Sequence, residues 1–232
     1  MNAKAPPILF FTGTDTEVGK TYVATLATRL LASYGMRVGV YKPVASGCDL
    51  RDGQLVSEDA SQLWRAANRP ETIDRVCPQR FAAPLAPPAA AVLEHRSVDV
   101  DLLVEGARWW FGRCSILIVE GAGGLFSPLA DGYSNADLAR ALNATLVLVA
   151  ENRLGVIHQV VSTTLAAQSF HNREGEGLNV AGVILNQCMS RSDASAETNP
   201  EELQKYCSVP LLGTIPYGSD AAPFESWLRR AC

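Results

Sequence analysis

The sequence has no excess of basic residues, no long hydrophobic run and no apolar leader. Among its 232 residues, 20 are Lys or Arg and 24 are Asp or Glu, which gives a formal net charge of −4 at pH 7. Because nucleic-acid-binding proteins carry a basic patch or stripe, this balance argues against a nucleic-acid partner. No apolar stretch approaches the ~20 residues of a transmembrane helix, and residues 1–7 lack the apolar core of a signal peptide. We therefore expect a cytoplasmic protein with no membrane partner.

Cysteine and histidine patterns that are typical of metal sites are also missing. The sequence has no Cys-x-x-Cys pair and no histidine beside a cysteine at ligand spacing. An even number of cysteines would allow disulfides, but a cytoplasmic chain of this length favours free thiols at Cys48, Cys77, Cys114, Cys188, Cys207 and Cys232. No histidine is positioned to activate Cys48, so we assign it no catalytic role. We interpret the histidines as surface or packing residues: His95, His158 and His171.

What the sequence does have is a lysine-containing loop between a buried strand and a helix. The strand covers residues 8–11, the loop reads Gly13-Thr-Asp-Thr-Glu-Val-Gly-Lys-Thr21, and the predicted helix continues to about Ser33. In this setting the N–H groups of the loop surround a phosphate, and the helix dipole adds positive potential. Lys20 then reaches the terminal phosphates, and the Thr21 hydroxyl is placed to ligate Mg²⁺. The alternative is a chance glycine-rich turn, but the complete Gly-Lys-Thr in this context favours a nucleoside-triphosphate site.

Apolar runs alternate with helix-like segments along the chain, which is typical of a parallel sheet covered on both faces. We predict one α/β domain over residues 1–232, a P-loop NTPase-like fold with a mostly parallel central sheet and helices on both faces. The predicted strands cover residues 8–11, 37–41, 115–119, 145–150, 180–185 and 211–215. The predicted helices cover residues 22–33, 58–67, 99–111, 134–142 (which begins with a Ser-x-x-Asp capping box), 155–170 and a short segment after 200.

The remaining segments are a polar stretch at residues 48–57, an irregular segment at 77–91, a polar turn at 171–177 and a polar loop at 190–200. Residues 77–91 are rich in proline and alanine, so we expect an irregular loop there that serves as a substrate or dimer surface.

Polar side chains follow several predicted strands at their carboxyl ends, where parallel sheets bind ligands. Lys42, Glu120 and Asn186 each stand directly after such a strand. Glu120 occupies the place of the second metal-associated acid of a P-loop enzyme, and the glycines after it let a backbone pass close to an anion. The alternatives are a capping or loop carboxylate for Glu120 and a solvated lysine for Lys42. The convergence of these positions with the phosphate loop favours a common site.

Three motifs together resemble the dethiobiotin synthetase family. They are the phosphate loop, Tyr41-Lys-Pro-Val-Ala-Ser-Gly47 and Val119-Glu-Gly-Ala-Gly-Gly124. Ser57-Glu-Asp-Ala60 and Leu212-Gly-Thr-Ile-Pro216 match in order and spacing, so the resemblance spans about residues 8–218. It implies a homodimer that closes a cyclic urea from 7,8-diaminopelargonate, CO₂ and ATP.

The resemblance also implies the roles of individual residues. Lys42 and Lys20 become catalytic and Ser46 contacts the substrate, while the residues associated with Mg²⁺ are Thr21, Asp59 and Glu120. The implied ATP contacts around the phosphates are Glu17, Val18, Gly19, Lys20, Thr21, Tyr22, Asp59, Glu120, Gly121, Ala122 and Gly123. Those around the adenine are Asn186, Gln187, Pro216, Tyr217 and Gly218. The sequence departs from the family pattern at Pro88, where a histidine is expected.

Two other functions remain open from the sequence. An amidation enzyme of the cobyrinate type shares the P-loop architecture, but such chains usually carry a glutaminase domain for which 232 residues leave no room. A partitioning ATPase usually has a second lysine early in its loop, where this chain has Thr14, Asp15 and Thr16. A membrane-targeting version also needs a long basic amphipathic tail, and residues 224–230 are too short for one.

Overall fold

The computed structural model describes residues 4–170, 175–191 and 193–231 of the chain. The predictions for His171 and Cys232, and most of the predicted turn at 171–177, therefore lie outside the described residues. The strands are β1 (Ile8–Gly13), β2 (Val38–Tyr41), β3 (Val44–Ala45), β4 (Asp49–Arg51), β5 (Gln54–Val56), β6 (Gln79–Arg80), β7 (Ile116–Gly124), β8 (Pro128–Ala130), β9 (Tyr133–Ser134), β10 (Thr145–Glu151), β11 (Val180–Asn186) and β12 (Leu211–Ile215).

The helices alternate with the strands of the main sheet. They are α1 (Lys20–Ser33), α2 (Glu58–Ala66), α3 (Ile73–Val76), α4 (Pro87–Leu93), α5 (Val100–Arg108), α6 (Asn135–Ala141), α7 (Val156–Ser169), α8 (Asn199–Tyr206) and α9 (Glu225–Ala231), with a 3₁₀-helix at Ala194–Glu197. Within the ranges that the structure describes, none of these helices combines the length and the apolar character needed to cross a bilayer.

The main sheet has six strands in the order β12-β11-β10-β1-β7-β2, and every neighbouring pair is parallel. All residues of β1 and β2 are buried, which requires cover on both faces of the sheet. The parallel arrangement brings the carboxyl ends of the strands to one edge. The loops after β1, β2, β7 and β11 meet there, as the sequence predicts.

The end of β2 is fixed by a close contact with α5. The Tyr41 hydroxyl is buried and donates a hydrogen bond to the Leu102 carbonyl at 2.9 Å. A Cβ added at Gly106 would lie 2.2 Å from that hydroxyl oxygen, so only glycine lets α5 approach this closely. Tyr41 directly precedes Lys42, and its anchoring therefore fixes where the Lys42 backbone leaves the sheet.

The prediction of an irregular loop at residues 77–91 is wrong. β6 pairs with β3 in this region, and α4 begins at Pro87. Pro87 and Pro88 occupy the first turn of α4, where the missing amide hydrogen removes no helical bond, and the alanines that follow favour a helix. The proline-rich composition was interpreted as a loop, whereas these prolines begin a helix.

Other predicted boundaries also change. The polar stretch at residues 48–57 contains an antiparallel hairpin of β4 and β5, which was not predicted, and α8 begins inside the predicted loop at 190–200. β7 continues through Glu120 to Gly124, because Gly124 still pairs with Gly13 of β1. α9 was not predicted; it buries Leu228 and carries acidic and basic residues at the ends where the helix dipole favours each. The capping box at the start of α6 is confirmed, with both reciprocal bonds present.

Candidate active site

The phosphate loop turns sharply from β1 into α1. Glu17 and Gly19 have left-handed backbone conformations, with φ of 57° and 82°. A Cβ at Gly13 would lie 2.4 Å from the Asp15 carbonyl, and one at Gly19 would lie 2.1 Å from the Asn186 amide nitrogen, so both positions require glycine. Gly19 is the N-cap of α1 and no side chain caps the helix. The first amide groups of α1 therefore face the loop, where they suit an anion.

Lys20 is buried at the start of α1. Its Nζ donates to the Asp15 carbonyl at 3.3 Å, which folds the side chain back along the loop. Burial, followed by the positive charge of Lys42, lowers the pKa of Lys20 from its ordinary value. A cation that burial disfavours in this way is stabilised by an incoming polyanion.

Lys42 is the most constrained side chain of the site. Its Nζ donates to Glu120 Oε1 at 2.6 Å, to Asp59 Oδ2 at 2.9 Å and to the Gly121 carbonyl at 3.4 Å. The side chain is only 4% exposed. Burial alone would lower the pKa of Lys42, but Glu120 and Asp59 outweigh it and raise the pKa, so the ammonium stays charged. The alternative of a solvated lysine is therefore wrong.

Glu120 joins the two lysine-bearing segments. The Thr21 hydroxyl donates to Glu120 Oε1 at 2.7 Å, on the same oxygen that Lys42 contacts. The other oxygen, Oε2, is buried and has no hydrogen-bond partner among the described residues. Burial raises the pKa of Glu120, although the positive charge of Lys42 acts to lower it. Lys42 lowers the pKa of the half-exposed Asp59, so this carboxylate remains ionised.

These residues fit Mg²⁺ by their chemistry. Two carboxylates and a hydroxyl are hard oxygen donors, and Mg²⁺ in nucleotide sites takes one or two carboxylates together with phosphate oxygens and water. The unpartnered Oε2 of Glu120 is an acceptor that a cation would satisfy. No group of three or more His, Cys, Asp or Glu side chains that could hold a metal ion occurs in the described part of the chain.

The segment that carries Ser46 is anchored by backbone hydrogen bonds to residues 81–83. Gly47 has φ of 66°, and its N–H donates to the Ala83 carbonyl at 3.0 Å, while the Cys48 N–H donates to the Phe81 carbonyl at 3.0 Å. Ser46 is half-buried directly after β3. This backbone anchoring fixes Ser46 and Lys42 at the two ends of one short segment.

The residues predicted to hold adenine gather beside the phosphate loop. Asn186 Nδ2 donates to the Val18 carbonyl at 3.1 Å, and its Oδ1 is buried without a hydrogen-bond partner among the described residues. The Gln187 N–H donates to the Ile215 carbonyl at 2.9 Å, which brings residues 216–218 alongside. The Tyr22 hydroxyl bonds to the Ser219 carbonyl. Contact of these residues with a base stays a prediction.

A cleft of about 490 Å³ opens between residues 15–17 of the phosphate loop and residues 187–189 after β11. Glu151 and Arg153, at the end of β10, also line it. Neither residue was predicted to line the site, although both follow the predicted strand at residues 145–150. His95 and His158 are exposed, as predicted, and the described cysteines are free thiols.

Comparison with known proteins agrees with this geometry. A family model described as an AAA domain matches residues 8–224. The ATP-dependent dethiobiotin synthetase of Rhodopirellula baltica is 47% identical over 219 residues, which cover 90% of this chain and 83% of that protein. The enzyme of the same name from Bacillus licheniformis is 38% identical over 216 residues, which cover 93% of this chain and 88% of that protein.

Solved structures show the fold alone. A ParA family ATPase from Chlorobium tepidum has a TM-score of 0.57 at 16% identity and covers 98% of this chain and 90% of its own. The septum site-determining protein MinD from Pyrococcus horikoshii, complexed with Mg-ADP, has a TM-score of 0.56 at 14% identity and covers 98% and 94%. They confirm the predicted P-loop α/β architecture. The identity and coverage of the curated relatives show that this chain belongs to the ATP-dependent dethiobiotin synthetase family.

Proposed function

We propose that the chain converts 7,8-diaminopelargonate, CO₂ and ATP to dethiobiotin, ADP and phosphate, as an ATP-dependent cyclo-ligase of biotin biosynthesis. The names of its relatives support this activity. The observation that carries the proposal in the structure is Lys42, a buried ammonium held between Glu120 and Asp59 beside the phosphate loop. Phosphoryl transfer to an anionic acceptor needs a fixed positive charge at this place.

The reaction is a sequence of three bond changes. One amine attacks CO₂ and loses a proton, which gives a carbamate. A carbamate oxygen then attacks the γ-phosphorus, the bond to ADP breaks, and a mixed carbamic–phosphoric anhydride forms. The second amine attacks the carbonyl carbon and loses a proton, the bond between that carbon and the bridging oxygen breaks, phosphate leaves with that oxygen, and the ring closes. The intermediates are anionic, so the protein's task is to position them and to neutralise charge.

The two lysines divide this task. Lys20 and the first amides of α1 hold the nucleotide phosphates. Lys42 donates to Glu120 Oε1, the same oxygen that accepts from Thr21. It is proposed to stabilise charge on the transferring group and on the carbamate. Ser46, on the anchored segment after β3, is proposed to contact the diamine. Asn186, Gln187 and residues 216–218 are proposed to hold the adenine.

Mg²⁺ would be associated with Thr21, Asp59 and Glu120, where it would neutralise charge on the β- and γ-phosphates. Glu120→Gln keeps the size of the side chain and removes its charge. We expect the Mg²⁺ concentration for half-maximal turnover to rise ~10–100-fold, the scale for changing a residue that supports a metal. Glu105→Gln removes an exposed carboxylate and is the control. Unchanged Mg²⁺ dependence in Glu120→Gln would reject the association of Glu120 with Mg²⁺ and leave it only as the ion-pair partner of Lys42.

The proposed activity predicts that phosphate release depends on the diamine. Phosphate should accumulate when ATP, Mg²⁺, 7,8-diaminopelargonate and bicarbonate are all present, and should fall to background when the diamine is omitted. The same assay with DNA or lipid vesicles in place of the diamine tests the partitioning ATPase. If DNA or vesicles stimulate phosphate release and the diamine does not change it, the synthetase activity is rejected in favour of the partitioning ATPase.

We also propose a single-domain homodimer that acts in the cytoplasm. The family model covers most of the chain, which supports one domain. The homodimer rests on the resemblance to the dethiobiotin synthetase family. The free thiols of the described cysteines suit a reducing compartment.

A further inference from the structure

The strand that carries Glu120 contains a bulge directly after this residue. Phe11 of β1 pairs with Glu120, and Gly13 pairs with Gly124. Two steps along β1 therefore correspond to four steps along β7, so residues 121–123 stand opposite the single residue Thr12. Backbone groups in such a bulge lose their ladder partners and need others, because they are partly or fully buried.

Asn135 supplies those partners. This side chain is fully buried at the first position of α6. Its Nδ2 donates to the carbonyls of Ala122 and Gly124, both at 2.8 Å, and lies 3.3 Å from the Ser127 carbonyl. Its Oδ1 accepts from the Ala122 N–H at 3.2 Å. One side chain thus satisfies both polar backbone groups of the central bulge residue.

The packing around Asn135 supports these hydrogen bonds. A Cβ at Gly121 would lie 2.4 Å from Asn135 Oδ1, so the glycine lets the amide reach the backbone. The capping box of α6 fixes the helix start, and the Ala136 N–H donates to the Leu125 carbonyl at 2.9 Å. α6 therefore presents Asn135 to the bulge in one orientation.

The bulge borders the reacting groups on both sides. The Gly121 carbonyl accepts from Lys42 Nζ at 3.4 Å, and Glu120 holds Lys42 and Thr21. On its far side, a Cβ at Gly124 would lie 3.3 Å from the Gly13 carbonyl at the start of the phosphate loop. A shift of residues 121–123 would therefore move the wall between Lys42 and the phosphate loop.

We propose that Asn135 is a positioning residue: by taking the place of the missing ladder partner at residues 121–123, it holds Glu120 and the Gly121 carbonyl in register with Lys42. It touches no reacting atom. It acts by fixing the backbone that presents the carboxylate and carbonyl to the catalytic lysine. The inference rests on the proposed function only for its kinetic readout.

Asn135→Ala tests the role. We expect kcat to fall ~10–100-fold, the scale for loss of an outer hydrogen-bonding residue, with less than about threefold change in KM for ATP, because the loop that holds the nucleotide keeps its own contacts. We also expect faster hydrogen exchange at the Ala122 amide, whose acceptor is removed. Asn135→Asp keeps the acceptor for that amide and loses both donors, so it should restore slow exchange while kcat stays low.

Leu138→Ala is the matched control, because Leu138 is equally buried on α6 and makes none of these hydrogen bonds. It should lower the melting temperature but leave kcat within about threefold of wild type. If Asn135→Ala lowers only the melting temperature and keeps kcat, the proposal is overturned. If Asn135→Ala does not fold, Asn135→Asp carries the same comparison. If the diamine does not change phosphate release by the wild-type protein, the proposed function is rejected. If hydrogen exchange at the Ala122 amide is as slow in Asn135→Ala as in the wild type, the hydrogen-bonding role of Asn135 is rejected.

Discussion

Replacement of Lys42 by glutamine is expected to lower the single-turnover rate of the complete reaction by ~10²–10³-fold, the scale for removing one preorganised charge donor. The ammonium is held by Glu120 and Asp59, so its charge is already positioned before charge develops on the transferring phosphoryl group. Glutamine keeps most of the length of the side chain and one polar end but no charge. Affinity for ATP alone should change much less than the rate, because Lys20 and the loop amides are proposed to hold the phosphates independently of Lys42.

The measurement for Lys42→Gln is the single-turnover rate beside nucleotide affinity. The substitution also leaves the buried Glu120 without its ion-pair partner, which destabilises the fold, so a melting curve must show that the protein is folded at the assay temperature. Lys205→Gln removes an exposed lysine and is the control for charge. A normal rate in folded Lys42→Gln would show that the proposed catalytic role is wrong.

Lys20→Ala is expected to weaken ATP binding and turnover together. Lys20 lies inside the phosphate loop, and burial already disfavours its free ammonium, so a bound triphosphate is its natural counter-charge. We expect a rate loss of ~10²–10³-fold accompanied by a clear rise in the dissociation constant for ATP, measured by titration calorimetry. This combined effect distinguishes Lys20 from Lys42.

The opposite pattern would require a revised division of roles. If Lys20→Ala binds ATP as wild type does while Lys42→Gln does not, the nucleotide phosphates must lie against Lys42. Lys205→Gln again controls for net charge.

The sequence predicted the parts of the fold that depend on strong local patterns. The strands of the main sheet are continuous apolar runs, and the Gly-Lys-Thr of the phosphate loop stands between a buried strand and a helix. The position of the phosphate loop, Lys42 and Glu120 at one edge of the sheet followed from the rule that parallel strands end on the same side. Lys42 and Glu120 were therefore placed near each other without any knowledge of distances.

What the sequence could not show depends on contacts between distant segments. Nothing near Asn135 in the chain reveals that its amide fills the bulge of β7, because the partners are backbone groups eight to thirteen positions away. Likewise, Asn186 was predicted to lie near the adenine, but its bond to the Val18 carbonyl joins residues 168 positions apart. The helix at Pro87 was missed for a different reason, since proline both breaks helices and starts them.

The most direct test of the proposed chemistry follows an oxygen atom. In the proposed sequence, a carbamate oxygen that came from CO₂ attacks the γ-phosphorus and leaves with the phosphate. Reaction with freshly prepared ¹⁸O-labelled bicarbonate, in the absence of carbonic anhydrase, should therefore yield phosphate that carries a single labelled oxygen, measured by mass spectrometry. Phosphate without the label, formed at the same rate as dethiobiotin, would contradict the anhydride and with it the role proposed for Lys42.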